Sequence, residues 1–247
     1  MSYKLGLNVA TKYSPNFNFR KRKKKSIKFI IIHYTGMKKE SDSIKRLCDV
    51  RSKVSSHFVI RRNGKVLILV PELYEAWHAG ISKWKNLNSL NRFSIGIEVC
   101  NPGHKNGYKK FSKEQFLSIK KILKLLINKY QINIKNILGH SDIAPSRKKD
   151  PGEYFPWKDL AKIKLSHWHS LNLKRLSKLR KIRLTQKDEL EFLKNLYKIG
   201  YSKMKKINPY KNMKYLTIAF QRRFRQDLIN GKIDKECLVI SKNLLKS

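Results

Sequence analysis

Gly139-His140-Ser141-Asp142-Ile143-Ala144-Pro145-Ser146-Arg147-Lys148-Lys149-Asp150-Pro151-Gly152, followed by Phe155-Pro156-Trp157, sets a histidine and an aspartate ten residues apart across a turn-rich stretch. A loop of this kind brings two metal ligands and a cation to one point. His33 closes the apolar run Phe29-Ile30-Ile31-Ile32, so a second buried strand is expected to deliver an imidazole to the same end of a sheet. Two histidines and one aspartate form the ligand set of a catalytic zinc site, which keeps its fourth position for water, whereas structural zinc more typically takes four Cys/His ligands.

Working outward, the β-branched run Lys28 to Tyr34 shows no alternation, which predicts a central strand covered on both faces. Residues 42 to 51 are expected to be helical. Asn63-Gly64 separates Ser56 to Arg62 from Lys65 to Val70, and Asn-Gly between two apolar-rich runs predicts a β-hairpin. In Ser94 to Cys100, Ile95, Ile97 and Val99 alternate with Gly96 and Glu98; the two-residue period sends Glu98 to the face opposite the aliphatics, with room left beside it by Gly96. Ser112-Lys113-Glu114-Gln115 is a capping-box pattern ahead of Phe116, Ile119, Ile122, Leu123 and Leu126, predicting an amphipathic helix over residues 113 to 130. A short strand, Ile134 to Leu138, is expected to run into His140. This alternation of strands and helices predicts an α/β fold, a mixed β-sheet covered by helices, with a site where strands end in loops.

The 247 residues suffice for one domain of about 150 residues and a smaller one. Lys and Arg total 57 against 17 Asp and Glu, a formal charge of +40, which attracts polyanions and acidic surfaces without choosing among nucleic acid, anionic lipid and carboxylate-bearing cell wall. No helix-turn-helix, RNP or zinc-finger signature accompanies the charge, so a specific nucleic-acid partner is not expected. The three cysteines, Cys48, Cys100 and Cys237, lie far apart without C-x-x-C spacing and read as buried apolar residues of a reducing compartment. The first ten residues lack a long apolar segment, and no run approaches about 18 apolar residues, so neither a signal peptide nor a membrane span is expected and the default location is cytoplasmic, with the periplasm or cell envelope as the alternative.

His33-Tyr34-Thr35, Trp77-His78-Ala79-Gly80, Ser94-Ile95-Gly96-Ile97-Glu98 and the His140 to Asp150 loop occur in the order in which the zinc-dependent N-acetylmuramoyl-L-alanine amidases carry their motifs. Over about residues 14 to 160 the chain resembles that family, which includes anhydro-muropeptide amidases, phage amidase lysozymes and peptidoglycan recognition proteins. The resemblance implies a Zn2+ cofactor on His33, His140 and Asp150. It further implies Glu98 as the proton-transferring carboxylate and Lys148, rather than its neighbour Lys149, as the cation that stabilises the tetrahedral oxyanion. Tyr34, Trp77, His78 and Asn101 are candidates for the substrate groove, and Tyr34, with Thr35, is also expected to orient the ligands. His57 is expected to be structural or at the edge of the site, and His104, His167 and His169 receive no role.

The expected organisation is a basic N-terminal arm over residues 1–26, containing Arg20-Lys21-Arg22-Lys23-Lys24-Lys25, then a catalytic domain over 27–161 and a basic linker over 162–184. A tail of three short helices over 185–247 completes it. Ala219-Phe220-Gln221 with Gly231-x-x-Asp234 resembles the small three-helix peptidoglycan-binding domain often appended to such amidases, although Asp234-Lys235-Glu236-Cys237 departs from the usual Asp-x-x-Thr ending. The implied activity is hydrolysis of the amide between N-acetylmuramoyl, in its 1,6-anhydro form or not, and L-alanine, in cell-wall turnover or recycling. Peptidoglycan or muropeptide fragments are the implied partners. The rival reading, a non-catalytic peptidoglycan recognition module, requires an incomplete ligand set, and here every ligand position is filled by a competent residue.

Overall fold

The structure, a computed structural model, describes residues 8–204 and 207–246. Residues 1–7, on which most of the reading of the N-terminus rests, lie outside the described residues. No helix among the described residues is long and apolar enough to cross a membrane.

The strands in chain order are β1 (Val9–Thr11), β2 (Phe17–Asn18), β3 (Phe29–Tyr34), β4 (Phe58–Ile60), β5 (Val66–Ile68), β6 (Glu75–Ala76), β7 (Lys83–Trp84), β8 (Leu87–Asn88), β9 (Ser94–Val99) and β10 (Ile137–Gly139). The helices are α1 (Glu40–Cys48), α2 (Lys113–Tyr130), α3 (His140–Ile143), α4 (Trp157–Lys162), α5 (Leu173–Lys178), α6 (Gln186–Ile199), α7 (Pro209–Phe224) and α8 (Lys235–Lys246). Six strands form one mixed sheet in the order β1-β5-β4-β9-β3-β10. β4, β9, β3 and β10 run parallel to one another, while β5 is antiparallel to β4 and β1 parallel to β5.

Local chemistry accounts for the elements that the sequence announces. The Asn63-Gly64 turn has Gly64 at φ +80°, a conformation glycine adopts without steric cost, and it joins β4 to β5 in antiparallel register. The Ser112 hydroxyl accepts from the Gln115 N–H at 3.1 Å while the Gln115 side chain accepts from the Ser112 N–H at 3.1 Å, so α2 starts at a closed capping box. One expected strand is shorter than the sequence predicts. Over Ile134–Asn136 the chain makes a 3-10 turn, because the Asn133 side chain takes the Lys135 N–H, and only Ile137–Gly139 pairs with β3.

The central strands have two buried faces, as the unbroken apolar run of β3 requires. On one face Ile30, Ile32, Ile95, Ile97 and Ile137 pack under Ile119, Leu123 and Leu126 of α2 and Trp157 and Leu160 of α4. On the other, Phe29, Ile31 and Leu138 join Leu216, Phe220 and Phe224 of α7, Phe192 and Leu196 of α6 and Leu238 of α8 in one apolar cluster. The tail helices therefore share a core with the sheet.

Residues 8–26 add β1 to the sheet edge and then pair with β6 through β2 in a separate two-stranded sheet. Ser14 and Asn16 are buried and hydrogen-bonded to the chain around Leu47–Val54. Within the basic run, Arg22 turns inward: it donates to the carbonyls of Asn91, Ser94 and Glu72 at 2.8, 2.7 and 2.6 Å, while Arg20, Lys21, Lys23, Lys24 and Lys25 stay exposed. In the basic stretch 162–184, α5 forms and buries Leu176, and His167 and His169 are buried rather than at the surface.

Candidate metal centre and active site

Register places the key side chains before any tertiary contact is considered. His33 pairs with Glu98 across β3 and β9, and β10 lies on the other side of β3, ending one residue before His140. The carboxyl ends of three parallel strands thus carry His33, Glu98 and His140 side by side, where ligands bind in open α/β sheets. The loop after α3 returns Asp150 to the same place, held by the Ser141 N–H donating to the Asp150 carbonyl at 2.9 Å.

Three ligand atoms converge. Nδ1 of His33 and Nδ1 of His140 are 2.9 Å apart, and Oδ2 of Asp150 lies 3.0 Å from the first and 2.9 Å from the second, all three residues being buried.

The protonation of each ring follows from its other nitrogen. His140 Nε2 faces the Ala79 carbonyl at 3.0 Å, an acceptor only, so it carries the proton and Nδ1 presents a lone pair. Ser94 donates its hydroxyl to the Leu90 carbonyl at 2.6 Å and so accepts from His78 Nε2 at 3.2 Å; His78 Nδ1 then accepts from His33 Nε2 at 3.1 Å. His33 Nδ1 is thereby also a lone pair. Burial, with His33 and His57 as neighbours, pushes the His78 imidazole well below its ordinary value, consistent with a neutral link in this chain. His33 is pushed down to about 4, by burial first and then by His140. Two imidazole lone pairs and an ionised carboxylate facing one buried point repel one another unless a cation lies among them, so the donor set fits a divalent metal.

Glu98 borders the same cavity of about 520 Å³. Its Oε2 is inaccessible to solvent and has no hydrogen-bond partner, and its carboxyl is pushed up to about 8 by burial and by the Asp150 charge, against the opposing effect of Lys148. Lys148 also lines the cavity, half-buried, and its neighbour Lys149 is exposed at the rim. The small residue at 96 serves the ring behind His33: a Cβ on Gly96 would stand 2.5 Å from the His78 imidazole.

The remaining residues singled out from sequence separate into wall and scaffold. Tyr34 and Trp77 line the cavity; Trp77 donates its indole N–H to Asn18 at 3.0 Å. His78 reaches the cavity wall but is committed to the His33–Ser94 chain. Asn101 does not line the cavity, and its amide organises the following loop by donating to the Lys109 carbonyl and accepting from the Gly103 N–H. His57 lies behind the site, accepting from the Gly96 N–H at 2.9 Å and donating to the Tyr74 carbonyl at 3.0 Å.

Several cavity residues escaped the sequence reading, His104 and Arg147 among them. His104 bridges the Tyr34 hydroxyl at 2.9 Å and Glu153 at 3.1 Å, and Arg147 donates to the Ala79 carbonyl at 3.4 Å and to that of Ile81. The turn sequence Pro102-Gly103 directly after the Glu98 strand was the available signal for His104, since loops at carboxyl ends of strands build sites.

A family model described as N-acetylmuramoyl-L-alanine amidase matches residues 23–153, just over half of the chain. The chain belongs to this amidase family. Among its relatives, N-acetylmuramoyl-L-alanine amidase AmiD of Escherichia coli (strain K12) is 36% identical over 89% of this chain and 83% of the relative. The 1,6-anhydro-N-acetylmuramyl-L-alanine amidase AmpD of the same organism is 39% identical over 42% of this chain and 55% of the relative. The solved complex of AmiD from E. coli with the substrate anhydro-N-acetylmuramic acid-L-Ala-D-gamma-Glu-L-Lys matches with a TM-score of 0.77 at 34% identity, covering 90% of this chain and 89% of that one. The amidase resemblance read from the four motifs is thus confirmed, and the AmiD match extends the similarity through the helical tail.

Proposed function

We propose that this family member hydrolyses the amide bond between N-acetylmuramoyl and L-alanine in muropeptides, the 1,6-anhydro forms included, using zinc held by His33, His140 and Asp150. The observation that carries this reading is the convergence of three lone-pair donors at one buried point beside an unpartnered carboxylate. The AmiD complex with an anhydro-muramyl peptide supports the substrate class. So does the charge of the cavity: Arg46, Lys105, Arg147, Lys148 and Lys149 line it against only Glu98 and Asp150, a field that complements the stem-peptide carboxylates. The three cysteines are all unpaired, which supports a reducing compartment such as the cytoplasm.

When bound, zinc supplies Lewis-acid polarisation of the scissile carbonyl and acidifies water, lowering its pKa from 15.7 to about 7. The chain supplies the rest. Glu98 takes the proton released by the attacking water and returns it to the leaving amine of L-alanine. The Lys148 ammonium faces the oxygen on which negative charge accumulates. His78 and Ala79 fix the ligand tautomers, and Tyr34 and Trp77 form walls against which the sugar and peptide are oriented.

Mass spectrometry of products from purified anhydro-muropeptides and from intact sacculi tests the proposal. Free stem tripeptide or tetrapeptide should appear, disappear on chelation and return with zinc. Release that ignores the chelator, or no release from either substrate, would overturn it.

A further inference from the structure

We infer that the helical tail acts as a positioning element of the metal centre, with Arg223 and Tyr201 holding, through Asp142, the single helical turn that presents His140; this rests on the metal-dependent reading above. α3 is four residues long, too short to be stable on its own, yet its first residue is a proposed ligand. Its geometry is imposed from outside. The Asp142 carboxylate is buried and accepts from three donors: the Gly139 N–H at 2.8 Å, the Arg223 Nη1 at 3.0 Å and the Tyr201 hydroxyl at 2.7 Å. Arg223 also donates through Nη2 to the Ile137 carbonyl at 2.8 Å, and its guanidinium lies 4.0 Å from the centroid of the Trp157 ring.

One planar fork from α7 therefore grips both the strand that enters the turn and the carboxylate that caps it, a role that needs the two-pronged geometry of arginine. The preceding residue, Arg222, lies 3.7 Å from Glu153, the partner of the cavity residue His104. Neither Arg223 nor Tyr201 meets the proposed ligands directly, so the expected effect is on the organisation of the ligand set, where supporting contacts are worth about 10- to 100-fold in metal affinity.

The test measures zinc dissociation constants by competition with a chromophoric chelator on the full chain, beside far-UV circular dichroism and thermal unfolding of the metal-free protein. Arg223→Lys keeps the charge and loses the fork; Tyr201→Phe removes one hydroxyl and keeps the fold if the lysine variant does not. Asn195→Ala, which breaks the 3.0 Å bond to Ser241 between α6 and α8, is the control for tail stability alone. Folded Arg223→Lys or Tyr201→Phe should bind zinc roughly 10-fold or more weakly, with Asn195→Ala binding as the wild type. Wild-type affinity in both folded variants would overturn the inference, as would equal weakening in the control. A wild-type chain that takes up no zinc would instead overturn the metal-dependent reading itself.

Discussion

Asp142 in α3 and Asp150 in the loop that follows it are both buried carboxylates, but their surroundings are opposite. Asp142 is enclosed by donors: an amide, a phenol and a guanidinium, each with a proton to give. Asp150 faces two ring nitrogens whose protons point elsewhere, beside a Glu98 oxygen with no partner. Satisfied polar groups hold a structure, and groups left short of partners store the potential to bind or react. Over a few residues, the chain passes from support to machinery.

The largest way to break this contrast is to remove the unsatisfied side. Asp150→Ala should abolish stoichiometric zinc uptake and lower turnover on the order of 10³-fold or more, checked by metal analysis and muropeptide hydrolysis. Glu98→Gln sharpens the contrast, since it should cost about 10²- to 10⁴-fold in kcat while zinc content and muropeptide binding stay unchanged. The same variant should be more stable than the wild type at pH 8. A carboxyl raised from 4.5 to about 8 is progressively penalised in the folded metal-free protein as pH rises through that window. Relative to glutamine, the loss between pH 5 and 8 should be on the order of 1–3 kcal/mol in denaturant unfolding.

A smaller effect belongs to His57, whose bonds are complete only while the ring is neutral. Burial, then Arg22, pushes it down to about 3 from 6.5, so the unfolded state binds the extra proton between these values and stability falls as pH drops through them. The cost between pH 6.5 and 5 should be about 2 kcal/mol. In His57→Gln, whose amide can both accept from Gly96 and donate to Tyr74, urea midpoints should depend less on pH; an unchanged slope would remove His57 from this account.

What was legible in sequence was local or periodic. Asn63-Gly64, the Ser112–Gln115 box and the alternation around Glu98 each encode geometry within a few residues, and the hairpin, the helix and the facing of Glu98 follow from them. His33 and His140 were legible because each ends or follows an apolar strand, and Asp150 because it closes the turn-rich stretch that begins at His140. Long-range partners were not legible. Arg22 looks like one more cation in a basic run, and only the carbonyls of Glu72, Asn91 and Ser94, distant in sequence, turn it inward. His78 reads as a groove residue until Ser94 and Gly96 place it behind His33. Asp142 carries no motif signal of its own, because its donors come from residues 201 and 223.

The shared core between sheet and tail limits how this protein can be rearranged. Gln221 and Asp234, the motif residues of the tail, are spent internally: Gln221 on the Asn230, Gly231 and Lys232 backbone, Asp234 on Arg225 and the Cys237 N–H. Phe220 and Phe224 face Phe29, Ile31 and Leu138. A chimera that exchanges this tail for one from another amidase therefore inherits a mismatched seam, and recombination breakpoints will be tolerated only where β10, α3 and α7 travel as one cassette.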